Sequence, residues 1–219
     1  MGFEIDLLKN YPKTKRDLNA RASLRSPEDQ KIAREFGREF FDGDRKHGYG
    51  GFSYHPRFWQ PVVPDLISHF DLKPGDRVLD VGCAKGFMLY DLKLAMPELQ
   101  VSGVDISDYA VSNGLESVRS QLAVANARNL PFKNDSYHVV ISINTIHNLE
   151  LSECKKALKE IQRVSERGSF ITVDAYRTDE EKERMYQWNL TAKTILHVDD
   201  WKMVFEDVGY TGDYYWFMP

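Results

Sequence analysis

The stretch that most constrains this chain is Arg77-Val78-Leu79-Asp80-Val81-Gly82-Cys83-Ala84-Lys85-Gly86-Phe87. Val78, Leu79 and Val81 suit a strand buried on both faces. Gly82 and Gly86 lie where the backbone must turn sharply and where a ligand can approach without meeting a Cβ. From Phe87 onward the apolar spacing becomes helical. A strand, a glycine loop and a helix N-terminus in that order form a nucleotide-binding corner.

Two details narrow the ligand. The spacing Gly-x-x-x-Gly lacks the three glycines of the dinucleotide fingerprint. Asp80, at the mouth of the strand, would repel a pyrophosphate and welcome a cation. Asp105 follows Gly82 by 23 positions and closes the apolar run 101–106, where an acid serves a ribose diol. A ribose plus a positive charge, with no pyrophosphate, points to S-adenosylmethionine as cofactor.

Four segments carry a family resemblance: 78–86 (VLDVGCAKG), 103–107 (GVDIS), 126–132 (NARNLPF) and 136–149 (SYHVVISINTIHNL). In this order they resemble the motifs of class I S-adenosylmethionine-dependent methyltransferases, most closely the small-molecule branch with the ubiquinone and menaquinone enzymes. The resemblance spans roughly residues 60 to 175. It implies cofactor contacts from Asp80, Gly82, Cys83, Ala84, Gly86, Asp105 and Ile106. It also implies adenine contacts from Asn126, which stands where the family has an acid, and from the Ala127 backbone. Asn144 and His147, just past the fourth strand, fall beside the expected methyl group. His147 is a candidate general base, and the alternative is a histidine that orders its loop. Tyr54 is a second catalytic candidate. Cys83 has nothing nearby to activate it as a nucleophile, and Lys85 is expected to be solvated.

Composition limits the alternatives. A chain of 219 residues holds one domain with appendages, and 42% hydrophobic with 28% charged residues is ordinary for a globular protein. A net charge of −4 argues against a nucleic-acid surface, and the cluster at 13–16 reads as a solvated tail. No membrane span and no signal peptide are expected. Two cysteines offer neither a disulfide framework nor a metal-ligand spacing, so no metal and a reducing cytoplasmic setting are expected.

Along the chain, Ser26-Pro27-Glu28-Asp29 opens a helix expected to run to Phe41. Residues 46–59 place glycines among Tyr49, Phe52, Tyr54, Phe58 and Trp59, and read as a lid or as an anchor. Strands are then expected at 77–81, 100–105, 121–125, 138–143 and 169–174, with helices at 62–72, 87–95, 108–119 and 152–164. The alternation predicts a doubly wound, mostly parallel α/β Rossmann-like sheet with ligands at the carboxyl ends of its strands. A cap helix is expected at 178–192, another helix ending near Val208, and a last strand within 210–217. The family resemblance implies that the sheet closes with an antiparallel strand. The division is a helical extension and lid at 1–60 and a methyltransferase domain at 61–219.

The expected activity is direct methyl transfer to a small-molecule acceptor, with a homodimer left open. The readings set against it are a non-catalytic S-adenosylmethionine-binding scaffold, a nucleic-acid methyltransferase, a metal-dependent catechol-type enzyme and an NAD-dependent oxidoreductase.

Overall fold

The computed structural model describes residues 2–13, 26–49 and 52–219. Its strands are β1 (Arg77–Val81), β2 (Gln100–Asp105), β3 (Leu122–Val124), β4 (Tyr137–Ile143), β5 (Ser165–Tyr176), β6 (Leu196–His197) and β7 (Asp213–Phe217). They form one sheet in the order β3-β2-β1-β4-β5-β6, with β7 also pairing with β5. The helices are α1 (Pro27–Arg34), α2 (Arg38–Asp42), α3 (Pro56–Trp59), α4 (Val63–His69), α5 (Phe87–Ala95), α6 (Asp108–Ser112), α7 (Leu151–Val164), α8 (Asp179–Trp188) and α9 (Val198–Val208).

Alternation along the central strands builds a layer on each face of the sheet. Val78, Val139, Ile141 and Phe170 pack with Val63 and Leu66 of α4 and with Met88, Leu89 and Leu92 of α5. Leu79, Val140, Ile171 and Val173 pack on the other face with Ala157, Leu158 and Ile161 of α7 and with Trp201 and Phe205 of α9. Both faces of the central strands are therefore largely apolar, which is why β1 and β4 are mostly hydrophobic, with Asp80 and Ser142 as buried polar exceptions. Leu7 of the N-terminal segment is buried in the first of these layers.

Every pairing between these strands is parallel, β7 with β5 included (Phe170 beside Asp213, Asp174 beside Phe217). The antiparallel closing strand is thus absent among the described residues. The cause is α9. It occupies the connection between β6 and β7 and carries the chain back to the edge where β5 begins, whereas an antiparallel partner needs only a tight turn. The outer edge of β7 is covered by the N-terminus: Ile5 N–H donates to Tyr214 O and Tyr214 N–H to Phe3 O, both at 3.0 Å. This covering hides an edge that would otherwise recruit other strands.

Four helices are shorter than their sequence patterns. α4 covers only 63–69 of the expected 62–72, the cap helix α8 stops at Trp188 where Asn189 leaves the helix, short of the expected 192, and two more end early for reasons of packing. The Ser26 capping box forms as the sequence indicates, but the helix breaks at Phe36, whose φ is +50°. That turn lets the Phe36 carbonyl accept the Ser107 hydroxyl and sets its ring edge-on to Phe40 at 5.2 Å, so packing on α6 overrides local helix propensity. α6 stops at Ser112 before Asn113-Gly114, and Leu115 N–H then donates to Lys85 O at 2.9 Å.

Of the segment 46–59, Gly50 and Gly51 lie outside the described residues, as do residues 14–16 of the basic cluster. Phe52 packs on Phe41 at 4.7 Å. Among the described residues, no helix is long and apolar enough to cross a membrane.

Candidate cofactor and acceptor cleft

The loop after β1 takes its shape from three left-handed residues, Gly82 (φ +88°), Ala84 (φ +48°) and Gly86 (φ +77°). A Cβ on Gly82 would lie 2.0 Å from Thr145 Oγ1, so only glycine fits there. Ala84 holds its left-handed turn at some cost, because its N–H donates to Asp105 Oδ2 at 2.8 Å. Gly82 and Cys83 N–H groups both donate to Val104 O, at 2.7 and 3.0 Å. The loop is therefore stapled to the end of β2. Gly86 caps α5 and does not line the cleft.

Asp105 accepts from Ala84 N–H and, through Oδ1, from Ser107 N–H at 2.9 Å. The Ile106 N–H is also directed at this carboxylate, which keeps acceptor capacity for a ribose hydroxyl. Burial still pushes its pKa up, against those hydrogen bonds. Asp80 is 4% exposed, and burial with the neighbouring Asp105 charge pushes its carboxyl up to about 8. Among the described residues no hydrogen bond reaches the Asp80 carboxylate. Two acids forced together in a dry cleft are a site for a ligand that brings both a positive charge and hydroxyl donors.

The cleft encloses about 1910 Å³, well above the ~300–1,000 Å³ of a typical single-ligand pocket, so it has room for a cofactor and an acceptor. Asp80, Gly82, Cys83, Ala84, Asp105, Ile106, Asn126, Ala127, Asn144 and His147 all line it. Ile106 is 54% exposed beside Asp105 and offers an apolar face for a planar base. Asn126 Oδ1 accepts from the Arg128 N–H and Nε–H, both at 3.0 Å. Asn126 stands where the family has an acid, and its amide oxygen, the atom that could accept an adenine amino hydrogen as that acid would, is thereby occupied, leaving Nδ2 as its other polar atom. Asn144 has φ +51°, and its amide oxygen accepts from Thr172 Oγ1 at 2.8 Å. Cys83 is buried, its thiol pushed well up by burial and by the charges of Asp80 and Asp105, and it packs against Gly103. It is inert.

Besides Gly86, three expectations are corrected. His147 lies past β4 and faces the cleft, but its Nδ1 accepts the Asp174 N–H at 2.9 Å. Burial pushes its pKa down to about 3. The ring is therefore neutral with its hydrogen on Nε2, a donor toward the cleft and not a base. Tyr54 does not line the cleft. Its hydroxyl donates to Asp91 Oδ1 at 2.8 Å and its ring meets Tyr90 edge-on at 5.0 Å, which anchors it to α5. Lys85 is not solvated: it is 8% exposed and its ammonium reaches Asp42 Oδ1 at 2.7 Å, Asp42 Oδ2 at 2.8 Å and Phe52 O at 3.1 Å. Tyr109 also donates to Asp42 at 2.7 Å. Burial opposes ionisation of Asp42, but the Lys85 and Tyr109 hydrogen bonds hold its carboxyl below the usual range. The cofactor loop and the N-terminal extension are thus clamped together.

The sequence reading passed over Asp174, a buried carboxylate near the end of β5 that lines the cleft beside His147. The signal was present, since Asp174 ends an apolar run just as Asp80 and Asp105 do.

This sheet order and glycine corner define a class I methyltransferase, Rossmann-like fold. A methyltransferase-domain family model matches residues 72–213, and the chain belongs to that family. S-adenosylmethionine is the cofactor which that membership implies. A demethylmenaquinone methyltransferase of Symbiobacterium thermophilum is 28% identical over 67% of this chain and 61% of its own length. A tRNA (carboxymethyluridine(34)-5-O)-methyltransferase of Arabidopsis thaliana is 29% identical over 65% of this chain and 33% of its own. The chain thus spans less than two thirds of the length of either relative. A Haloferax volcanii methyltransferase solved in complex with the activator Trm112 superposes with a TM-score of 0.57 at 19% identity, over 90% of this chain and 77% of that one, a likeness of fold.

Proposed function

We propose that the chain transfers a methyl group from S-adenosylmethionine to a small-molecule acceptor by direct displacement. The observation that carries this is the buried acid pair Asp80 and Asp105 beside the left-handed loop, at the mouth of a cleft with room for two ligands. Bound S-adenosylmethionine supplies an electrophilic methyl group on a positively charged sulfur. Asp105 is assigned to the ribose hydroxyls, Asp80 to the cationic end, and Ile106, Ala127 and Asn126 to the base. Gly82, Cys83 and Ala84 supply backbone with no side chain in the way. Asn144 and His147 border the acceptor space, His147 as a hydrogen-bond donor. The protein's work is alignment and exclusion of water, which together can account for much of such a rate.

A small acceptor is favoured by the net charge of −4 and by the acid and aromatic lining of the cleft's far end. The test is incubation with methyl-labelled S-adenosylmethionine and, in parallel, a small-molecule extract or total tRNA. Label in the low-molecular-weight fraction is expected. Label in tRNA alone would overturn the acceptor class while sparing the methyltransferase assignment.

A further inference from the structure

At the end of the cleft away from the glycine loop stands a carboxylate that the assignments above leave idle. Asp174 is 3% exposed and lines the cleft. Its main chain is committed: its N–H donates to His147 Nδ1 at 2.9 Å and its carbonyl accepts the Trp201 indole N–H at 2.9 Å. Its carboxylate is not, since no hydrogen bond reaches it among the described residues. Burial pushes this acid up to about 8. A desolvated carboxylate without a partner is costly, and it persists where something outside the fold completes it.

Its surroundings say what that something is. Phe217 is the Cα partner of Asp174 in the β5–β7 ladder, so the two side chains leave the sheet on the same side. Trp188 of α8 lies 6.2 Å from Phe217, and Tyr49 stacks on Trp188 at 5.5 Å. All three rings line the cleft with Asp174. The Asp174 charge is also one of the influences, after burial, that push the Tyr49 hydroxyl up. Several cations that line the cleft are held by other groups: Lys46 lies 3.6 Å from Asp29 and Lys31 3.9 Å from Glu28. Lys193 lies 3.5 Å from Glu150, and Arg34 Nε donates to Thr191 O at 3.3 Å. The His147 ring lies 3.5 Å from Asp174 Oδ1 and is neutral. A buried acid with no partner of its own, beside three aromatic rings, is the recognition chemistry of an organic ammonium, whose charge draws the carboxyl into its ionised form and whose skeleton takes the ring faces.

We propose that the methyl acceptor is an organic amine, with its nitrogen seated on the Asp174 carboxylate and its skeleton against Tyr49, Trp188 and Phe217. This rests on the methyl-transfer reading above and deepens it. An amine arrives protonated, and only its free lone pair is nucleophilic. Asp174 Oδ takes one N–H proton, leaving that pair. The pair forms the N–C bond to the methyl carbon as the C–S bond breaks, and the electrons of the C–S bond remain on sulfur. His147 Nε2–H borders the same space as a donor and is not required to accept a proton.

The test uses the full chain saturated with S-adenosylhomocysteine and two probes of one shape, benzylamine and benzyl alcohol, titrated near neutral pH with calorimetric detection. Benzylamine is expected to bind at least about tenfold more tightly. Asp174→Asn should abolish the difference and leave S-adenosylhomocysteine affinity unchanged. Trp188→Leu, which keeps the carboxylate, should narrow the difference several-fold and serves if the Asn variant does not fold. Equal binding of the two probes, tighter binding of the alcohol, or a preference that survives in Asp174→Asn would overturn the amine inference. Failure of wild-type protein to bind S-adenosylhomocysteine would instead overturn the cofactor reading, and the amine inference with it.

Discussion

Replacing Asp80 by Asn separates what the cleft does for folding from what it does for binding. The Asp80 carboxyl is pushed up to about 8 by burial and by Asp105, from an unfolded value near 3.8. Folding therefore favours its protonated form. Its contribution to stability is complete below the unfolded value and is lost as pH rises toward 8, at about 1.4 kcal/mol for each pH unit. Over pH 5 to 8 the loss is on the order of 3–4 kcal/mol. An Asn side chain has no such dependence. Denaturant unfolding of wild type and Asp80→Asn without cofactor should show the variant gaining on wild type by that amount between pH 5 and 8. The same variant should bind S-adenosylmethionine more weakly, because the carboxylate that burdens the empty fold is the one a cationic ligand relieves. A stability difference that does not change with pH would refute the claim that Asp80 is held in a dry, like-charged setting.

Tyr54→Phe removes the hydroxyl donor to the buried Asp91 and should destabilise the fold by about 1–3 kcal/mol, with S-adenosylhomocysteine affinity and kcat unchanged; a large loss of kcat at unchanged stability would restore Tyr54 to the active site. Lys85→Met keeps the stem but strips Asp42 of its ammonium partner. It should cost about 1–3 kcal/mol and weaken cofactor binding as the loop and extension come apart, and a variant with wild-type affinity would show that the clamp does not shape the loop. Gly82→Ala places a Cβ 2.0 Å from Thr145 Oγ1 and 2.6 Å from Thr145 Cβ and should abolish cofactor binding in calorimetry, a loss that only Thr145→Gly, which removes the whole side chain, can partly rescue.

Much of the scaffold was legible because its signals are local. β1, α5 and β2 have the boundaries that apolar runs, Gly86 and Pro97 set for them. The glycine corner and its two acids were readable for the same reason, since strand end, turn and carboxylate lie close together in sequence. The rest depends on contacts distant in sequence. Nothing near Lys85 announces Asp42, 43 positions away, nor does anything near Tyr54 announce Asp91. The role of His147 turns on which ring nitrogen the Asp174 N–H occupies, 27 positions on. The parallel direction of β7 follows from α9 filling a connection that the final residues alone do not reveal. Ala84 shows the opposite case, a left-handed residue with no glycine to mark it, held by Asp105.

The central claim is that Asp105 and its stapled loop hold the ribose of S-adenosylmethionine. Asp105→Asn keeps the size of the side chain and one acceptor oxygen while removing the charge. Calorimetric titration with S-adenosylhomocysteine should show one site per chain in the wild type and none for NAD. The variant should bind more weakly by on the order of 1.5–3 kcal/mol, as for lost charge-assisted hydrogen bonds. Equal affinity in wild type and variant, or binding of NAD in place of S-adenosylhomocysteine, would contradict the account.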